Sequence, residues 1–267
     1  MQLYPHADVN AGMSRWLIPF LVALLAPAAR AEPAPVEVHQ MLVVSGSADS
    51  SLVALTLDAC DGGFNAALIE FLIDNHMAAT IFATKKWLDR NPQAVTLLKD
   101  HFDLFDIENH GANHIPAVIG RDRAVYGIPG EADVAHLKRE VQRGAAAVAM
   151  VTGSPPRWYR GATGEYDAEA ITVIEAMGYK VAGFSVNADD GATLSKRRVM
   201  ARLKKVRDGD IIIAHLNKPE SESAAGLIEG LKDLRDRHFR FVKLNESEVV
   251  PAPKPRSTSA RMTPRGH

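Results

Sequence analysis

The chain reads as an α/β protein, a single (β/α) barrel of about seven parallel strands in a distorted, TIM-like form. Short apolar runs alternate with helix-length amphipathic stretches between residues 36 and 250, the pattern of repeated β-α units. Gly153, Gly178 and Gly209 fall where helices should stop. Polar side chains able to do chemistry recur just after the apolar runs, and barrels gather their reactive groups at the carboxyl ends of strands.

Taken in order, the strands are expected at Leu52–Leu57, Thr80–Phe82, Phe102–Ile107, Trp158–Arg160, Tyr179–Phe184, Asp210–His215 and Arg240–Leu244. Helices are expected at Asn65–Asn75, Ala132–Val151, Ala168–Met177, Lys196–Val206 and Ser223–Arg237. In the second of these, Val134, Leu137, Val141 and Val148 fall on one stripe. No repeat, coiled coil or internal linker interrupts the series, so residues 36–250 are expected to form one catalytic domain.

The ends read differently. Arg15 precedes an apolar run from Trp16 to Ala28, and Ala29-Arg30-Ala31 has the small-x-small form of a signal-peptidase site, so residues 1–31 are expected to be a signal peptide. Met13-Ser14-Arg15 makes a more compact positive start than residues 1–12, which points to translation from Met13. The run is short for a bilayer, so a permanent membrane span is not expected, and the protein should be exported to a periplasmic or extracellular space. Residues 251–267 are proline-rich and basic and should form a flexible tail. Cys60 is the only cysteine, so no internal disulfide can form, and stability must come from the core of a 267-residue chain. Lysine plus arginine (31) balance aspartate plus glutamate (32), and no basic face carries interleaved aromatics, so no nucleic-acid partner is expected. Nothing in the sequence sets the oligomeric state.

The chemistry points first to Asn109-His110-Gly111-Ala112-Asn113-His114. One turn of helix brings positions four residues apart onto the same face, so the two imidazoles are expected to converge on one divalent metal at a strand end. Asp58 and Asp61 follow the first strand, Arg160 the fourth, Asp190 the fifth and His215 the sixth.

With these residues in place the chain resembles the polysaccharide deacetylases of carbohydrate esterase family 4, the NodB-homology domain, from Ser51 to Leu244. Thr56-Leu57-Asp58-Ala59-Cys60-Asp61-Gly62-Gly63 is similar to the motif T-F-D-D-G, with Asp58 at the position of the general base and Ala59 where the family has its metal carboxylate. Asp61 then has two readings, a ligand reaching back to the metal or a turn residue in a glycine-rich loop, and Cys60 reads as a packed thiol more readily than as a soft ligand. His110 to His114 resembles H-(S/T)-x-x-H, the metal-binding pair, with Gly111 replacing the hydroxyl residue. Arg160-Gly161-Ala162-Thr163-Gly164 resembles R-x-P-Y-G, which implies that Arg160 orients the base and that the Thr163 backbone amide serves as oxyanion donor. Asn187-Ala188-Asp189-Asp190-Gly191 resembles D-x-x-D-W, which implies that Asp190 pairs with Arg160, and Ile213-Ala214-His215 resembles L-x-H, which implies that His215 is the general acid.

The resemblance implies an N-deacetylase acting on an acetylated glycan, with one divalent metal: zinc first, cobalt, nickel or manganese as alternatives. Two other outcomes stay open at this point: hydrolysis of an O-acetyl ester or a different amide, and a glycan-binding pseudoenzyme without turnover.

Overall fold

A computed structural model describes Gln2, residues 33–44 and residues 51–252. The expected signal peptide, apart from Gln2, and the expected start at Met13 lie outside the described residues, as does the expected tail beyond Ala252. The folded unit begins at Ala34. No described helix is long and apolar enough to cross a membrane.

Eight parallel strands make the main sheet: β1 (Leu52–Ala59), β2 (Ala79–Ala83), β3 (Phe105–Asn109), β4 (Trp158–Tyr159), β5 (Lys180–Val181), β6 (Val186–Asn187), β7 (Ile211–His215) and β8 (Arg240–Phe241). Seven run in one path, β5-β4-β3-β2-β1-β7-β6, and β8 pairs with the start of β1. The helices are α1 (Ala66–Asp74), α2 (Lys85–Arg90), α3 (Pro92–Asp100), α4 (Val134–Thr152), α5 (Ala168–Ala176), α6 (Lys196–Leu203) and α7 (Glu222–Asp236).

Chain length forces the path to curl. Its edge strands β5 and β6 are joined by only Ala182 to Ser185. Six strand spacings laid flat would separate the edges by roughly 29 Å, whereas the joining segment can reach at most about 18 Å. The sheet is therefore curled until its two edges lie within reach of that segment, with no pairing between β5 and β6 themselves. Ala182 donates its N–H to Tyr159 on one side and Ser185 donates to Ile211 on the other, each at 2.9 Å. Gln40 braces the seam, accepting from the Gly183 N–H at 2.7 Å and donating to the Val181 carbonyl at 3.1 Å. Glycine is required at 183, where a Cβ would lie 2.1 Å from the Val38 carbonyl oxygen. Of the single expected strand Tyr179–Phe184 only Lys180–Val181 is strand, as β5; β6 begins two residues beyond its end, and the segment between them links the two edges.

The period of two along each strand separates two cores. Val53, Leu55, Leu57 and Ala59 face the layer under the helices, with Ala79, Ile81 and Ala83 of β2 and Ile212 and Ala214 of β7. Ala54, Phe82, Ile211 and Ile213 point inside the barrel, where Trp158, Phe184 and Leu244 join them. Below them, Leu244 donates its N–H to Thr80 Oγ1 at 3.0 Å, so the segment after β8 plugs the amino end.

Several boundaries differ from the sequence reading. The third strand starts at Phe105, because residues 101–104 turn, with Phe105 N–H donating to the His101 carbonyl, and Phe102 is left exposed. Helices α2 and α3 were not foreseen. They are short and are divided by Asn91-Pro92, with Thr84 capping the first and proline opening the second. Val249–Pro251 pairs antiparallel with Gln40–Leu42, so Pro251 still belongs to the folded unit and not to the tail.

One buried carboxyl makes stability depend on pH. Glu131 is 3% exposed and its Oε1 has no hydrogen-bond partner. Burial, and then the neighbouring Glu140, push its pKa up from 4.5 to about 7. The folded chain therefore binds more protons than the unfolded one between those values, and this group's contribution falls as pH rises through the window. Glu131→Gln should leave the melting temperature unchanged near pH 4 and raise it by several degrees above pH 7, as thermal unfolding at the two pH values would show.

Candidate active site

The site is built at the carboxyl ends of β1, β3, β4 and β7. Thr56, Asp58 and Cys60 share the inward face of β1 and its continuation. Asp58 lies in register with His215 on the adjacent strand, so these two side chains stand next to each other at the rim. His110 directly follows β3, and Arg160 directly follows β4.

Arg160 is fully buried and fills the upper barrel. Its Nη1 donates to Asp58 Oδ1 at 2.8 Å and to Thr56 Oγ1 at 2.9 Å, its Nη2 to the Gly183 carbonyl at 3.1 Å, and its plane lies 4.2 Å from the Phe82 ring centre. Burial pushes the Asp58 carboxyl up, but Arg160, and behind it His110 and His215, outweigh burial and hold it below the ordinary aspartate range. Asp58 is thus kept ionised and aimed.

The two histidines do meet, with ring centres 5.0 Å apart, but no helix brings them together. Gly111 (φ 85°) and His114 (φ 64°) are both left-handed, so the segment is a tight loop. That loop is pinned to α4. Asn109 donates to the Val141 carbonyl at 2.9 Å, and Glu140 accepts from both the Asn113 N–H and its side-chain amide. Gly111 is the residue that fits, since a Cβ there would lie 2.7 Å from Glu140 Oε1.

His110 Nδ1 lies 2.7 Å from the Arg160 carbonyl and can only donate to it, which leaves Nε2 facing inward. That nitrogen is 3.5 Å from Cys60 Sγ and 3.8 Å from Asp58 Oδ2. Donor atoms of Cys60, His110 and His114 all lie within 4.8 Å of one another. Burial raises the Cys60 thiol pKa, but His110, with His114 and His215, outweighs it and holds the thiol well below its ordinary range.

Two of the residues expected at the site are elsewhere. Asp61 is past the end of β1 and turns outward: its carboxylate accepts from the Gly62 N–H at 2.7 Å and pairs with exposed Arg90. It does not join the histidines, and the turn reading of this residue is the one the geometry supports. Asp61→Ala should leave metal content unchanged and cost no more than about 1 kcal/mol, the range of a surface ion pair, by metal analysis and denaturant unfolding. Asp190 does not reach Arg160. It adopts φ 48° and receives both guanidinium nitrogens of Arg202 at 2.7 and 2.8 Å.

Its neighbour Asp189, which the sequence reading passed over, holds His215 instead. Asp189 Oδ1 is 2.9 Å from His215 Nδ1, and its Oδ2 accepts the His215 backbone N–H at 2.8 Å. With Nδ1–H committed there, His215 presents Nε2 to the site. Burial opposes charge on this imidazole, but Asp189 and the Cys60 sulfur outweigh it and raise its pKa well above the ordinary value. Thr163 sits in a left-handed conformation at φ 70°, and its hydroxyl oxygen is buried without a partner. Non-glycine residues held this way cluster at working sites.

A family model described as polysaccharide deacetylase matches residues 45–182. A curated relative from Bacillus subtilis, the uncharacterized protein YlxY, is 21% identical over 194 residues, covering 72% of this chain and 56% of its own. The chain thus spans a little over half the length of that relative. Among solved structures, a CE4 family pseudoenzyme from Bacillus anthracis superposes with a TM-score of 0.60 at 17% identity, covering 80% of this chain and 69% of that one. A family 4 carbohydrate esterase from Streptomyces lividans in complex with acetate gives 0.58 at 21% identity, over 73% and 93% of the two chains. Peptidoglycan deacetylase PdaC from Bacillus subtilis gives 0.58 at 21%, over 74% and 90%. These likenesses establish the distorted barrel.

Proposed function

The chain belongs to the polysaccharide deacetylase family, and from that membership we propose that it is a metal-dependent hydrolase removing N-acetyl groups from an amino-sugar polysaccharide of the cell envelope or extracellular space. The observation that carries this reading is the pair of prepared groups flanking the histidine cluster: Asp58 on Arg160 and His215 on Asp189, side by side at the rim. An amide carbonyl is a weak electrophile, and its nitrogen leaves only when protonated, so the reaction needs a base, an acid and a site for negative charge.

The inward Nε2 of His110, the adjacent His114 and the facing sulfur form a donor set that fits a divalent ion, and such an ion would polarise the acetyl carbonyl and acidify water at the site. Asp58 takes the proton from the attacking water. Arg160 keeps that carboxylate charged and fixes its direction, because one of its oxygens is bound to the guanidinium. His215 gives the proton at Nε2 to the departing amine, its ring orientation fixed by Asp189 at Nδ1. The Thr163 amide serves as donor to the oxyanion. Acetate and a free amino sugar leave.

An exported site of action rests on the leader-like residues Arg15 to Ala31. The purified chain should release acetate from N-acetylated oligosaccharides, stop on chelation and resume on adding Zn2+. Faster release from O-acetylated than from N-acetylated oligosaccharides would make it an esterase. A second, non-catalytic reading draws on Ala59, which stands where the family has a carboxylate and whose methyl is buried under the helices. Glycan binding with no acetate release under any metal would establish that one instead.

A further inference from the structure

We propose that Cys60 is a ligand of the metal centre, so that the ion is held by one thiolate and two imidazoles. Strand geometry carries the assignment. Ala59 alternates into the layer under the helices with Leu55 and Leu57, so nothing at 59 can reach the histidines. Two residues beyond Asp58, the next inward position is Cys60, and its sulfur lies 3.5 Å from His110 Nε2, the ring nitrogen that the Arg160 carbonyl does not hold. Asp61, the nearest remaining carboxylate in sequence, is committed to Arg90 and the Gly62 N–H. Among the described residues, Cys60, His110 and His114 form a group of donors close enough to share one ion. One Asp58 oxygen is occupied by Arg160, which suits that residue to proton transfer.

The sulfur therefore takes the structural place of the family's carboxylate from one position further along the chain. On binding, the ion displaces the proton shared between Cys60 Sγ and His110 Nε2, which passes to solvent as the metal–sulfur and metal–nitrogen bonds form. Thiolate is a softer donor than carboxylate, so the site should favour Zn2+ and Co2+ over Mn2+ and Mg2+.

This inference deepens the metal-dependent reading and rests on it only for the presence of an ion. The test is titration of the metal-free full chain with Co2+, following absorbance and metal content. The unsubstituted chain should bind one equivalent and develop a thiolate-to-cobalt charge-transfer band. Cys60→Ser should lose the band and weaken Zn2+ binding by at least about a hundredfold. Cys60→Asp should keep one equivalent without the band and shift its preference towards Mn2+. Should either variant fail to fold, alkylation of Cys60 in the unsubstituted chain decides: bound Zn2+ should protect the thiol. No charge-transfer band, Zn2+ affinity unchanged in Cys60→Ser, or a thiol equally reactive with and without Zn2+ would overturn the assignment, even if acetate release is metal-dependent. A band without acetate release from any acetylated glycan would overturn the deacetylase reading and leave the ligand assignment standing.

Discussion

Replacing Arg160 by methionine should lower the unfolding free energy by about 3–5 kcal/mol, the usual cost of removing one member of a buried ion pair. For a domain of this size that corresponds to a fall in melting temperature of roughly 10 °C. The side chain is fully buried, and methionine fills similar volume, so the loss should reflect bonds and charge more than a cavity. Asp58 would be left buried without the cation that outweighs its desolvation. The Gly183 carbonyl would lose its donor at the segment that closes the barrel, so the damage should reach the seam between β5 and β6. Arg160→Lys should restore only part of the loss, since an ammonium is one point of charge and cannot span Thr56, Asp58 and Gly183 as the fork does. Denaturant unfolding of the three proteins checks this. A cost below about 1 kcal/mol for the methionine variant would mean that Arg160 is not what ties the first strand to the closure.

The elements that were legible from sequence are those governed by local period. Alternation along Leu52–Ala59 separates the helix-facing from the barrel-facing residues, and the triple isoleucine before His215 marks a strand buried on both faces. Motif register misled where the backbone departs from it. Asp61 reads as a candidate ligand from its nearness to Asp58 and the two glycines that follow it, whereas strand parity, already present in the sequence, places Cys60 on the inward face with Asp58. Asp189 and Asp190 are adjacent, and only the turn at Asp190, with φ 48°, decides which of them faces His215. Gly111 is the one local sign that the histidine pair lies in a loop. The reason for it, contact with Glu140 on α4, spans 29 residues of sequence and is invisible to any short window. Closure of the barrel is equally non-local, yet the short link between the two edge strands would have required it once strand order was known.

Asp58→Asn should lower kcat by roughly 10²–10⁴ while metal content stays at that of the unsubstituted chain. The amide oxygen can still accept from Arg160 Nη1, so the side chain keeps its place at 2.8 Å. What it loses is basicity, because an amide cannot take the proton of the attacking water. The histidines and the sulfur do not depend on this residue for position: His110 is anchored by the Arg160 carbonyl and the loop by Glu140. Removing the counter-charge of a buried arginine also costs stability, so rates must be compared well below the melting temperature of the variant. Under that condition the two effects separate, since a folding defect lowers the active fraction and metal content together whereas loss of the base lowers turnover alone. A rate within tenfold of the unsubstituted chain would mean that another group accepts the proton. His215, one strand away, in register with Asp58 and fixed by Asp189, would then have to serve as base and acid in turn, with Asp58 confined to holding Arg160.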